Sequence, residues 1–177
     1  GIACDLSPFW SEVEKIVHGV AMLGELSLST LDRVQSFGER MSATILVTLL
    51  RHRGVGAVVL DAYDIVFTDD NFGAGNVHCE KTYARAEEII LAHVEKGIVP
   101  VVTGFIGQAE NGQYITLGRG GSDYSGALMA AAIGAEELQI WTDVDGILNT
   151  DPRLVPSAKV FEQLSFYDAG ELAYYGA

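Results

Sequence analysis

The chain has 177 residues, 49% of them apolar, and a formal net charge of -13. Length and apolar content suit one globular domain with a sizeable core and exclude a disordered chain. The acidic balance argues against nucleic acid or a membrane surface as partner, because phosphate-rich surfaces call for a basic footprint.

Ser7-Pro8 opens a helical pattern with Phe9, Val13, Ile16, Val17 and Val20 on one face, serine at the N-cap and proline at the first helical position. Ser29-Thr30-Leu31-Asp32 resembles a capping box for a second helix, whose apolar positions Leu31, Val34, Met41, Ile45, Leu46 and Leu49 recur until Gly54. Gly56 to Leu60 is a short apolar run ended by Asp61, the pattern of a buried strand. A polar loop from about Thr68 to Asn76 leads to a helix from about Glu80 to Lys96, stopped by Gly97. Ile98 to Thr103 is a further buried strand with Pro100 near its start.

Leu117-Gly118-Arg119-Gly120-Gly121-Ser122-Asp123-Tyr124-Ser125 is a glycine turn that runs into a helix ending near Ile133 and Gly134. Leu138 to Thr142 reads as another strand, followed by Asp143-Val144-Asp145-Gly146, and Ser165 caps a last helix. Apolar strands alternating with helices imply an α/β protein, a three-layer α/β/α sandwich with a mainly parallel sheet.

The Gly118–Ser122 turn leaves helix N-terminal N–H groups free at the positive end of a dipole, a setting for phosphate or carboxylate. It is not a P-loop, since Gly121 is followed by Ser122-Asp123 and not by Lys-Ser/Thr. Nor is it a dinucleotide fingerprint, because Asp123 stands where the last glycine belongs. The plain alternative is a helix cap with Ser122 at the N-cap. In parallel sheets ligands gather at carboxyl ends of strands. Thr103 to Gly107, the Gly118–Asp123 loop and Thr142 to Gly146 all fall there, which favours a site for a charged small molecule. Cys4 and Cys79 fit two free thiols, and His18, His52, His78 and His93 lack zinc spacing, so no metal site is expected from the protein's own ligands. Without a membrane span or signal pattern, cytoplasm is the default. Tyr63, Tyr83 and Trp141 are expected in the core.

Ser36-Phe37-Gly38-Glu39-Arg40-Met41-Ser42-Ala43, Val102 to Gly107, Leu117 to Ser125, Trp141 to Gly146 with Asp151-Pro152-Arg153, and Glu171 to Ala177 resemble, in order, the catalytic domain of aspartate kinases, within the amino-acid kinase fold. The resemblance implies transfer of the ATP γ-phosphoryl group to the side-chain carboxylate of L-aspartate, with Mg²⁺-ATP, in a homo-oligomer. Glu39 would hold the aspartate amine, Arg119 its carboxylate, and Phe105 would also contact the substrate. Ser122 and Asp123 would be catalytic, lining the junction of aspartate and phosphates, and Thr142, Asp143 and Arg153 would contact the nucleotide. Other kinases of the fold (glutamate 5-kinase, acetylglutamate kinase, UMP kinase) carry different acceptor loops. A non-catalytic binding or assembly fragment is the remaining alternative.

The family's opening Lys-Phe-Gly-Gly-Thr-Ser loop, its later Lys-Val-Leu-His-Pro motif and its ACT domains have no counterpart in the sequence. Residues 1–177 are therefore expected to form a single, incomplete catalytic domain that is a poor catalyst by itself.

Overall fold

The computed structural model describes residues 2–142 and 146–174. The chain divides into two compact units, residues 1–138 and 139–177.

The first unit opens with α1 (Ser7–Leu23), which Gly24 ends in the left-handed conformation at φ 69°. Its cap position is Leu6, one residue before the expected serine, and the Asp5 carboxylate accepts the Ser7 N–H at 2.9 Å. The second helix, α2 (Leu28–His52), likewise starts earlier than the capping-box pattern suggested. Ser27 is its N-cap, accepting the Thr30 N–H at 3.1 Å.

The face that α2 buries also differs from the apolar stripe in its sequence. Asp32, Ser36, Phe37, Ala43 and Val47 are inside, while Leu31, Ile45 and Leu46 are exposed. At about 100° per residue, Asp32, Ser36, Ala43 and Val47 share one side and Leu31, Met41, Ile45 and Leu49 the other. The small buried side lets the helix lie close against the strands it contacts, β1 (Ala57–Leu60), β2 (Val99–Val102) and β4 (Tyr114–Thr116).

Strands β1 and β2 pair in parallel with Ala57 opposite Val99 and Leu60 opposite Val102, as the apolar runs predicted. Val99 and Thr103 donate N–H groups to the Gly56 and Leu60 carbonyls at 2.8 and 3.0 Å. Donors on this side of β2 therefore alternate, and Pro100 falls at an out-of-phase position where its missing N–H interrupts nothing. Between the two strands lie a 3₁₀ turn (Ala62–Asp64) and α3 (Cys79–Val94).

A hairpin follows that the sequence reading missed: β3 (Ile106–Gln108) pairs antiparallel with β4. Its five-residue connection turns at Asn111-Gly112, with Gly112 at φ 78°. Helix α4 (Gly121–Ala132) then packs on α3. The core joins Ile65 and Val66 to Ile90, Ile106, Leu117 and Leu128. Burying side chains of this size stabilises by about 1.5–3 kcal/mol each.

The second unit contains an antiparallel bridge between Leu148 and Val160, and α5 (Phe166–Tyr174), capped as expected by Ser165, whose hydroxyl accepts the Asp168 N–H at 3.1 Å. The strand expected at Leu138 to Thr142 does not form. Leu138, Ile140 and Trp141 are exposed, so Trp141 is not the core residue its size suggested. Tyr63 and Tyr83 are partly buried, Tyr83 against the core. Cys4 and Cys79 are free thiols. No helix among the described residues is long and apolar enough to cross a membrane.

Candidate functional site

The turn that leads into α4 is built by glycine backbones. Gly118 and Gly120 lie at φ 77° and 72°, left-handed values that L side chains resist. The Gly121 N–H donates to the Gly118 carbonyl at 3.1 Å, closing the turn. Gly120, not Ser122, is the N-cap, and no side chain caps the helix. First-turn N–H groups have no intrahelical acceptor, so those of Ser122 and Asp123 stand at the positive end of the helix dipole. Asp123 occupies this first turn with its carboxylate.

α2 presents Glu39 to the same place. The Ser122 hydroxyl lies 3.5 Å from Glu39 Oε1, at the long limit of a hydrogen bond. Partial burial raises the Glu39 carboxyl above its usual range, with the Ser122 hydroxyl acting in the opposite direction. Its neighbour Arg40 is committed elsewhere, donating from Nε to Asp61 Oδ2 at 2.9 Å. Glu39 is thus not a surface charge neutralised by Arg40. Gly38 has open space where a Cβ would stand, so it is not needed for close approach by another backbone.

Phe105 completes the wall. It is the one non-glycine residue with positive φ, 67°, among the described residues. The Ile106 N–H donates to the Gly104 carbonyl at 2.8 Å, so Phe105 is the centre of a three-residue turn. With a positive central φ, such turns are rare and strained. The Phe105 N–H donates to Ser125 Oγ at 2.9 Å and its carbonyl accepts the Leu117 N–H at 2.8 Å, which hold the strained residue from both sides. A Cβ on Gly121 would come within 2.8 Å of the Phe105 ring, so glycine is required there.

Glu39, Phe105, Arg119, Ser122 and Asp123 together line a cleft of about 330 Å³. A second cleft of about 410 Å³ shares Glu39 and Ser122 and extends over Thr103, Gly104 and Met129. Arg119 is exposed and, among the described residues, is the cation that borders the first cleft, so a carboxylate or phosphate entering there meets a planar donor fork. A separate cavity of about 370 Å³ at Arg33, Tyr63 and Tyr114 suits a charged ligand less well. Its Arg33 is paired with Glu12 and stacked 4.0 Å over the Tyr114 ring.

Sequence reasoning passed over two braces of the site. Asp61 accepts from Arg40 and from the Tyr114 hydroxyl at 3.0 Å. Burial, then the Asp61 charge, pushes the Tyr114 phenol up to about 12. Asp32 is the other, read from sequence as part of a helix cap and found inside. The sequence signal for both was a lone carboxylate at an element boundary, which is too common to single out.

In the second unit, Arg153 is exposed and held by Asp151, with Nη2 2.8 Å from Oδ2. The Arg153 guanidinium, through its hydrogen bonds first, keeps the Asp151 carboxyl below the usual range. Thr142 is exposed. Asp143 lies outside the described residues.

A family model described as the amino acid kinase family matches residues 10–177. The chain belongs to the amino acid kinase family. Within that family, aspartokinase 1 of the Arabidopsis thaliana chloroplast is 41% identical over 172 residues, 96% of this chain and 30% of that protein. The lysine-sensitive aspartokinase 3 of Escherichia coli is 38% identical over 171 residues, 94% of this chain and 38% of that protein. The crystal structure of E. coli aspartokinase III in complex with aspartate and ADP is similar with a TM-score of 0.85 and 36% identity, covering 97% of this chain and 39% of that one. The chain therefore spans roughly a third of the length of the curated amino acid kinase relatives it matches.

Proposed function

We propose that the chain carries the acceptor site of an aspartate kinase, with L-aspartate bound between Glu39 and Arg119. The activity is transfer of the ATP γ-phosphoryl group to the aspartate side-chain carboxylate, giving 4-phospho-L-aspartate. The observation that carries this reading is the convergence of Glu39, Arg119, Ser122, Asp123 and Phe105 on one cleft from separate parts of the chain. Similarity to an aspartokinase bound to aspartate and ADP supports it.

Each group has a distinct task in this account. Ionised Glu39 pairs with the aspartate amine, and Arg119 takes a carboxylate through two parallel N–H donors. Phe105, locked by its turn, limits the depth of the cleft and excludes water. The free N–H groups of Ser122 and Asp123 face the transferring phosphoryl oxygens, where fixed dipoles stabilise developing charge without reorganising. Thr142, Asp143 and Arg153 remain assigned to the nucleotide by motif.

No group of three or more metal-ligating side chains occurs among the described residues. Mg²⁺ is commonly held by one or two carboxylates plus substrate phosphates, and Asp123 in the first turn of α4 would be the carboxylate to face it. When bound, the ion neutralises phosphate charge. Residues 1–177 are taken as parts of one catalytic domain, since the family match runs through both units. A homo-oligomer is included in the proposal, supported by exposed apolar side chains such as Trp10, Met22 and Leu46. A reducing cytoplasm fits the free thiols.

The test is calorimetry of L-aspartate and ADP binding to the chain and to Arg119→Ala. Losing a charge-assisted bond costs about 1.5–3 kcal/mol, so aspartate affinity should fall on the order of ten- to a hundredfold while ADP affinity holds. Equal losses for both ligands, or none, contradict the assignment.

A further inference from the structure

α2 carries two carboxylates on the same side, about two turns apart. Glu39 faces the cleft, whereas Asp32 is 1% exposed. Asp32 Oδ2 accepts the N–H groups of Gly73 at 2.8 Å and Thr116 at 3.0 Å, and Oδ1 accepts the Thr116 hydroxyl at 2.9 Å. Burying a carboxylate is costly unless its oxygens are fully bonded. Here both oxygens accept hydrogen bonds, three in all, from donors 41 and 84 residues away in sequence. The helix already has Ser27 as its cap, so Asp32 does no capping.

The position of those donors gives the carboxylate its meaning. Thr116 is the last residue of β4, and the Gly118–Ser122 turn begins two residues later. Gly73 lies against that turn: a Cβ on Gly118 would come within 3.1 Å of the Gly73 carbonyl oxygen. The Gly75 N–H also donates to the Thr116 carbonyl at 2.9 Å, so the 73–75 backbone is bonded directly to the end of β4. Asp32 therefore ties three things together: the helix that carries Glu39, the strand that launches the Arg119 loop, and the backbone on which the loop rests.

We propose that Asp32 is a positioning residue that sets the separation between Glu39 and the Arg119–Ser122 loop, and with it the fit of the cleft to an amine and a carboxylate held at fixed spacing. The inference rests on the acceptor-site assignment above. Such sites need their groups held to within about half an ångström by a supporting shell, and the long Ser122–Glu39 contact of 3.5 Å leaves that task to other bonds.

Asp32→Ala, Asp32→Asn and Thr116→Val test this by calorimetry with L-aspartate and ADP, together with amide NMR of Gly118, Gly120 and Gly121. Asp32→Ala should lose aspartate affinity by about tenfold or more, hold ADP affinity within about twofold, and displace the three glycine signals. Asparagine can still accept both N–H groups and donate to the Thr116 hydroxyl. Asp32→Asn should therefore restore aspartate affinity to within about threefold of the original. Thr116→Val removes one bond of the three and gives a smaller shift in the same direction, a readout that survives if Asp32→Ala does not fold. Unmoved glycine signals with unchanged aspartate affinity in the Ala and Val variants overturn the proposal, as does an equal loss for both ligands. If Arg119→Ala also leaves aspartate binding unchanged, the acceptor assignment fails instead, and the glycine signals alone decide whether Asp32 places the loop.

Discussion

Glu39 combines a stability cost with its proposed binding role. Its carboxyl titrates above the usual glutamate value of 4.5 because burial disfavours the charge. Between that value and the raised one, the folded chain binds more protons than the unfolded chain. The contribution is therefore fully present below 4.5 and is lost as pH rises through the folded value. Glu39→Gln should raise the melting temperature relative to the original chain more at pH 7 than at pH 4, while weakening aspartate binding at pH 7. Melting differences that do not change with pH, with intact binding, contradict this account of Glu39. Glu39 and Arg119 stand out in the sequence because each sits in a distinctive motif, and the fold brings both to one cleft. Asp32 does not stand out, since Ser29 to Asp32 matches a capping box and its actual partners, Gly73 and Thr116, are remote along the chain.

Among the elements, the turn at Phe105 and the start of α4 act as a matched pair. Phe105 is strained at φ 67°, and the ring it projects lies where a Cβ on Gly121 would stand 2.8 Å away. Leu117 Cβ, 3.1 Å from the same point, blocks the other direction. Gly121→Ala should therefore cost about 1–3 kcal/mol by overpacking. At about 2–4 °C per kcal/mol for a chain of this size, that is a fall of several degrees in melting temperature. Near-ultraviolet circular dichroism should report the displaced aromatic ring, and an unchanged melting point and spectrum contradict the clash. Helices and the β1–β2 pair were readable from period and glycine stops. The β3–β4 hairpin was not, because three-residue strands are too short to show alternation; only Asn111-Gly112 marked it. The buried face of α2 was misjudged for a different reason: small and polar residues pack on the strands while its larger apolar residues face outward.

For the whole molecule, family membership, α/β organisation and the cleft agree, and they do so against a net charge of -13. Such a field opposes anionic ligands, so the account requires the local donors to dominate: Arg119 and the free N–H groups at the start of α4. The α/β class was legible because apolar strands and amphipathic helices alternate along the chain. Pattern could not reveal that Leu138, Ile140 and Trp141 are exposed and outside any assigned strand, since an apolar run specifies a buried strand only where the fold covers it. The most direct test of the central claim is an amide NMR titration of the chain with L-aspartate. The account predicts saturable shifts confined to Glu39, Phe105 and the Gly118–Asp123 loop, abolished in Arg119→Ala. Shifts centred on the Tyr63–Tyr114 cavity, or saturable shifts that persist in Arg119→Ala, contradict it.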